Sequence, residues 1–278
     1  MIKGTQNSPV KIDRFLPYPE EMPPLESFDW IDVNISGGND STAALLYMLY
    51  GYNVPKEKVT LFHARVDGPP ENEVFFDWPS TQSHLEYLSR HFGDLPLVVA
   101  WDEKGFETRI RERGMFPDSS ARYCTSYLKR DVYLKYARTR SKGNILCVTG
   151  ERHEESSRRA GYPCWQVNSA TAETKGRYVY NFRPILHLKK FEVSELIRSA
   201  GVKEHEAYQW TSRVSCRWCI FASSEELSAV AKLFPDAWER LKNLETSIGH
   251  TMKYQKGKRI PLCEFIHEDS EFEQLLLK

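Results

Sequence analysis

The chain has no surplus of charge of either sign. Thirty-eight lysines and arginines stand against 38 aspartates and glutamates. A global basic field that would draw in nucleic acid is therefore excluded, and any such contact needs a local patch or a partner protein. No apolar run approaches the roughly eighteen residues that span a bilayer. The segment Met1 to Gln6 lacks the apolar stretch of a signal peptide. A cytoplasmic protein with no membrane attachment is expected. Internal repeats and low-complexity tracts are absent. So are two common phosphate-binding signatures, G-x-x-x-x-G-K-[ST] and G-x-G-x-x-G. Six cysteines in an intracellular chain of 278 residues do not read as a disulfide framework. They are core residues, metal ligands or redox groups.

What is present centres on Ser36-Gly37-Gly38-Asn39-Asp40-Ser41. This string follows an alternating apolar run, Ile31, Val33 and Ile35, and opens an apolar helical run from Thr42 to Tyr50 that stops at Gly51. A strand, a glycine turn and a helix start in that order make an anion site. Paired glycines let the backbone approach a phosphate, and the first helical N–H groups point at it. Ser36 and Ser41 add hydroxyls. Asp40 would repel a polyphosphate unless a divalent cation lay between them, which magnesium can do. In the bland alternative the string is only a turn and Asp40 a helix cap.

The organisation predicts an α/β fold. Residues 1–28, with Pro9, Pro17, Pro19, Pro23 and Pro24, are expected as an extended arm that packs along the domain or meets a partner. In 29–200, strands at Val59 to Ala64, Leu95 to Ala100, Asn144 to Thr149 and Tyr178 to Phe182 alternate with helices. The helices fall at Ser80 to His91, Phe106 to Arg113, Thr125 to Arg140 and Leu188 to Ala200. Such alternation predicts a doubly wound, mostly parallel sheet with its ligand edge at the carboxyl ends of the strands. Residues 201–278 read as a small helical, cysteine-bearing appendix without strands. Its helices are expected at Ser223 to Leu233 and Asp236 to Ile248.

A second constellation, Gly150 to Ala160, follows the fourth strand and holds Arg152, Arg158 and Arg159 with Glu155 and Ser156. Guanidinium groups at the ligand edge suit phosphate or sulfate. The alternative is a charged surface helix with internal ion pairs. The basic stretch 129–142 reads as a solvated helix face, with nucleic-acid contact as the other reading. Cys216 and Cys219 form a C-x-x-C pair outside a thioredoxin-like context, able to hold a metal or form a redox disulfide. Cys147 lies in an apolar strand and reads as core. His63, His84, His91, His187 and His205 lack metal spacing and read as structural. Asp67 either faces the ligand or turns the chain.

The string 36–41 resembles the S-G-G-x-D-S signature of the PP-loop ATP pyrophosphatases, whose fold is adenine nucleotide alpha hydrolase-like. Gly150, Arg152, Glu155, Ser156 and Arg159 resemble the G-x-R-x-x-E-S-x-x-R pattern of the 3′-phosphoadenylylsulfate (PAPS) reductase group in that superfamily. Arg122-Tyr123-Cys124-Thr125 with Lys129, the run Phe182 to Ile185, and His205 to Cys219 are similar to further segments of the group. The resemblance implies Mg-ATP at 36–41, with Asp40, Arg152, Arg159 and Lys129 catalytic. Gly150, Glu155 and Ser156 would help bind the nucleotide. It further implies attack on the α-phosphate with release of pyrophosphate. Cys124 joins Cys216 and Cys219 as a metal ligand, with Cys263 the choice for the fourth and Cys164 its competitor. A [4Fe–4S] cluster is expected ahead of structural zinc. The implied acceptor is DNA, reached through a complex and converted to a phosphorothioate, with a cysteine desulfurase as sulfur donor. A homo-oligomer is a further possibility, and PAPS reduction or an idle nucleotide-binding subunit are the rival functions. Two features depart from the reductases. Tyr123 stands where cluster-bearing members pair a second cysteine, and the closing E-C-G-L-H string of thioredoxin-dependent members is absent.

Overall fold

A computed structural model describes residues 10, 12–16, 22–255 and 257–266. In chain order the elements are β1 (Trp30–Asn34), α1 (Asn39–Leu46), β2 (Val59–Arg65), α2 (Thr81–His91), β3 (Leu97–Trp101) and α3 (Gly105–Arg113). There follow α4 (Tyr123–Thr125), α5 (Asp131–Thr139), β4 (Gly143–Val148), α6 (Ser157–Ala160), β5 (Trp165–Val167), β6 (Arg177–Phe182) and α7 (Lys190–Ser199). The chain ends in α8 (Ser224–Leu233), α9 (Pro235–Ile248), β7 (Lys253–Gln255), β8 (Lys258–Ile260) and α10 (Leu262–Phe265).

The first six strands form one mostly parallel sheet in the order β3-β2-β1-β4-β6-β5. β1 pairs in parallel with β2 on one side and with β4 on the other, while β5 runs antiparallel to β6 at the edge. Strand order therefore reverses between β1 and β4, the place where such sheets bind ligands. Alternation along β1 explains why both faces are covered. Ile31 and Val33 enter the apolar cluster that contains Ala43, Leu46, Val193 and Ile197 of α1 and α7. Asp32, pointing the other way, accepts from Tyr133 and Arg140 at the other face, at 3.0 Å for the tyrosine hydroxyl. Phe62 of β2 stacks on Tyr136 there, with ring centroids 4.8 Å apart.

The chain divides into two compact units. One comprises 1–63, 80–100 and 133–205; the other comprises 64–79, 101–132 and 206–278. The second unit thus contains more than the expected appendix, because two segments that follow β2 and β3 share its apolar core of Phe76, Phe106, Leu128, Trp218 and Leu241. It also corrects the strand-free expectation, since β7 and β8 pair antiparallel.

The helix expected over Thr125 to Arg140 runs without interruption from Tyr123 to Thr139, but with a π-helical turn at Ser126–Arg130 between its α-helical parts α4 and α5. Tyr123 and Leu128 lie five residues apart and both enter the second unit's core. The wider turn keeps them on one side, which 3.6-residue spacing would not. The apolar run after the glycine turn likewise passes from α1 into a π-helical turn, Tyr47–Gly51. β5 escaped the sequence reading because it has three residues and one buried partner strand. The described part of the N-terminal arm packs along the first unit. Val10, Met22 and Phe28 are buried in its core, and the Tyr47 hydroxyl donates to the Arg14 carbonyl at 2.9 Å. Most of the proline-bearing stretch lies outside the described residues. No described helix is long and apolar enough to cross a membrane.

Candidate functional site

The turn 36–41 leaves the carboxyl end of β1 and enters α1 with Gly38 as the N-cap. Gly37 has φ +81°, a left-handed conformation that favours glycine. The Ser41 hydroxyl closes the turn. It donates to the Gly38 carbonyl at 2.9 Å and accepts from the Ser36 amide at 3.2 Å. Thr42 repeats the bond to Gly38 from the next position, at 3.1 Å. Asn39 is held by Glu204 at 2.5 Å. The Ser36 side is exposed, whereas Gly37, Gly38, Asn39 and Ser41 are buried.

Gly150, just past β4, meets this turn. A Cβ there would lie 2.7 Å from the Ser41 amide nitrogen and closer still to the Asp40 carbonyl. Only glycine allows the two strand ends to approach so closely. Beyond it, Arg152 is buried and donates from Nε to Asp40 Oδ1 at 2.7 Å. Its Nη1 also pairs with Glu154, and its amide donates to Glu155 at 2.8 Å. Burial opposes the guanidinium charge, but the bonds to Asp40 and the neighbouring Glu155 and Glu154 leave its pKa raised. Arg159 pairs with Glu155, and Arg183 donates to Glu151 at 2.6 Å. Ser156 caps α6 by accepting from the Arg159 amide at 3.2 Å. The internal ion pairs of a charged surface segment are thus present, together with the direct link to the glycine turn. Asp40, Arg152, Arg159, Gly150, Glu155 and Ser156 come together as the sequence grouped them.

The sequence reading missed Glu151 and Glu154, which join these arginines. Both lie within the quoted segment, and the only available signal was their alternation with arginine.

Asp40 can serve magnesium as well as Arg152. Its side chain is 33% exposed and its Oδ2 has only a 3.5 Å contact with Arg152, leaving an oxygen for a cation that takes one or two carboxylates plus phosphate oxygens.

In the second unit, Cys124 on α4 and Cys216 and Cys219 between Trp210 and α8 share one half-buried setting with Lys129 and Asp77. Lys129 is an exposed residue whose ammonium faces these thiols and Asp77. Burial pushes the Cys124 and Cys216 thiols up, and Lys129 pulls both down. Burial of the ammonium opposes the Lys129 charge, yet Cys216, Asp77, Cys124 and Cys219 together raise its pKa. The cysteine pair is tied down by two buried cations. Arg217 donates to the Phe75 carbonyl at 2.7 Å, and Lys253 donates to the Ile220 and Ala222 carbonyls at 2.9 and 2.7 Å. Burial lowers Lys253 to about 8. Trp218, between the cysteines, is fully buried against Trp238.

Cys263 is exposed on α10, Cys164 borders the first unit's core, and Cys147 is buried in β4 with its thiol pushed up to about 12 by burial. Among the described residues no three His, Cys, Asp or Glu side chains are arranged to hold a metal ion. As placed, the thiols do not form a four-ligand set. Asp67 turns the chain, since its carboxylate accepts from the amides of Phe75, Phe76 and Asp77 at 3.1, 2.7 and 2.9 Å.

The family model of the phosphoadenosine phosphosulfate reductase domain matches residues 31–222. An uncharacterised 37.8 kDa protein in the gpa 5′ region of Escherichia phage 186 is 32% identical over 139 residues, 46% of this chain and 40% of that protein. The chain thus spans less than half of that relative. The crystal structure of PAPS reductase from Candida auris, a phosphate complex, aligns with a TM-score of 0.44 at 16% identity, covering 71% of this chain and 89% of that one.

Proposed function

Because the chain belongs to the phosphoadenosine phosphosulfate reductase domain family, we propose that it is an enzyme of nucleotide-dependent sulfur chemistry, and that it adenylates an acceptor for sulfur incorporation using ATP bound at 36–41. One observation carries this reading: Gly150 abuts the Asp40–Ser41 backbone where strand order reverses. That contact makes the glycine turn and the arginine segment a single anion-facing edge.

An acceptor oxygen attacks the α-phosphate. One P–O bond forms, the α–β anhydride breaks, and pyrophosphate leaves. The chain's contribution is preorganised donors, which stabilise charge developing on phosphate oxygens. Arg152 and Arg159 are paired with carboxylates in the free protein, so phosphate oxygens that take over these guanidinium groups release the carboxylates, and Asp40 so released can turn to magnesium. Magnesium, held by Asp40 and the phosphates, would neutralise charge between them. Lys129 is assigned to the reaction as a further cation. The proposed acceptor is a DNA backbone phosphate, delivered by partner subunits, with a cysteine desulfurase supplying sulfur. The iron–sulfur centre expected on Cys124, Cys216, Cys219 and Cys263 is carried no further, because as placed these thiols do not form a ligand set. No step is routed through it.

The second reading is PAPS reduction to sulfite, favoured by the description of the matching family. Pyrophosphate release from ATP, with Asp40→Ala as control, separates the two. We expect release from the wild type and its loss in the variant. ATP left untouched while PAPS yields sulfite would replace adenylation by reduction, and ATP binding without turnover would leave an idle subunit. Iron in the purified chain that disappears in Cys216→Ser would show that the thiols regroup around a metal, which their placement does not do.

A further inference from the structure

We propose that His84 and His205 are positioning residues of the phosphate turn, forming an imidazole floor beneath Gly37 that sets the path of the turn and the aim of its amides. The proposal rests on reading 36–41 as a phosphate site.

Ser41 and Thr42 fasten the turn at Ser36 and Gly38, but Gly37 has no side chain of its own, and glycine loses more freedom on ordering than any other residue. Gly37, at φ +81°, is therefore the point of the turn where packing from outside can fix the path of the chain. A Cβ on Gly37 would lie 3.1 Å from His205 Cδ2 and 3.2 Å from His84 Cδ2. The two rings therefore close on the Cα from two elements, α2 and the segment after α7. They meet each other edge to face, with centroids 4.9 Å apart and planes at 72°. The His84 ring also hydrogen-bonds the Gly37 main chain. Thr81 stands 3.5 Å from His205 Nε2. Glu204, next to His205, bonds Asn39, so the segment 204–205 grips the turn at two points. A third imidazole, His63 on β2, lies with Nδ1 2.9 Å from the Ile35 carbonyl, one residue before the turn. All three histidines are buried.

The chemistry suits an anion site. Burial, then His205 and Lys203, lower His84 to about 4, so it is neutral near pH 7. A neutral His84 supports the turn without drawing a counterion into it. The groups facing His84 are Gly37, His205, Lys203 and the Tyr87 ring at 5.7 Å. None is an acid that would pull a proton onto it before a phosphate arrives. Once an anion is bound nearby, protonation becomes less unfavourable. ATP binding then takes up a fraction of a proton as pH falls toward 5, and affinity rises in step.

The test begins on the free chain. Amide hydrogen exchange of the peptide covering 36–41 is compared in wild type, His84→Ala, His205→Ala and His84→Gln, with far-UV circular dichroism to confirm folding. We expect exchange about tenfold faster or more in the alanine variants, and near wild-type exchange in His84→Gln, which keeps a donor. ATP affinity falls by about tenfold or more in the alanine variants, because small misplacements of fixed donors are costly. The rise of affinity at acid pH is lost in His84→Gln while its neutral-pH affinity survives. Unchanged exchange at 36–41 in both folded alanine variants would overturn the proposal. Faster exchange in the variants, with no ATP or PAPS binding even by the wild type, would leave the positioning role standing and reject the nucleotide reading instead.

Discussion

The two clusters that attract chemical interest are built by opposite means. In the first unit the site is made of backbone: a glycine turn, a helix start and a strand end meeting at Gly150, with side chains added around them. In the second unit it is made of side chains: Cys124, Lys129, Asp77, Cys216 and Cys219 arrive from separate stretches of sequence. A backbone site needs contiguous residues in a set order, so it leaves a readable string. A side-chain site needs only that distant segments fold together, so it leaves isolated residues.

The difference appears in what could be read in advance. The strand–turn–helix order around 36–41, the turn at Gly150 and the four central strands follow from alternation and glycine placement, and they stand where periodicity put them. Asp77 could not be picked out. It sits between two aromatic residues, Phe76 and Trp78, and becomes the acidic neighbour of Lys129 only through folding. The widened turn at Ser126–Arg130 was hidden for a related reason. Nothing in Ser126-Tyr127-Leu128-Lys129-Arg130 disfavours a helix, and the need for a wider turn comes from the core that Tyr123 and Leu128 share. Histidine spacing pointed to structural roles and could say no more. His84 and His205 carry no motif, because their role is to meet the backbone of another segment.

The comparison breaks most sharply at Gly150. In Gly150→Ala the new methyl overlaps main-chain atoms of Asp40 and Ser41, which cannot rotate away as a side chain could. Nucleotide-dependent turnover should fall at least about 100-fold, near 2.7 kcal/mol in transition-state terms. Steady-state kinetics on folded protein checks this. Full turnover in Gly150→Ala would mean that the turn and the arginine segment do not act as one edge.

A smaller effect is expected at Arg152. Arg152→Ala leaves Asp40 and Glu154 facing each other without the cation between them. Removing one partner of a fully buried pair costs several kcal/mol, but Asp40 is 33% exposed and solvent recovers part of that. A loss of about 2 kcal/mol is expected in denaturant unfolding, and Arg152→Lys should recover little of it, since a lysine cannot reproduce the forked contact. Equal stability of wild type and Arg152→Ala would show that the ion pairs at this edge are surface features only.

The smallest effect should come from the side-chain cluster, and it sharpens the contrast. Lys129 lowers the Cys124 and Cys216 thiols against a burial effect that raises them. In metal-free Lys129→Met the burial effect is unopposed, the thiolate fraction drops, and alkylation of both cysteines slows, because the thiolate is the nucleophile. Lys129 is an exposed residue, so screening keeps the change below about one pKa unit, a slowing of less than tenfold. Peptide-resolved mass spectrometry after iodoacetamide labelling at pH 8 reads each cysteine separately. Cys147, buried in β4 with its thiol near 12, should stay unlabelled in both proteins, and exposed Cys263 should label equally in both. Stability should barely move, since no helix or strand depends on Lys129 for a hydrogen bond that closes it. If Cys216 labels as fast without Lys129 as with it, the lysine is a bystander on an exposed turn. The second cluster would then be two tethered thiols and a third nearby, rather than a site with an electrostatic design of its own.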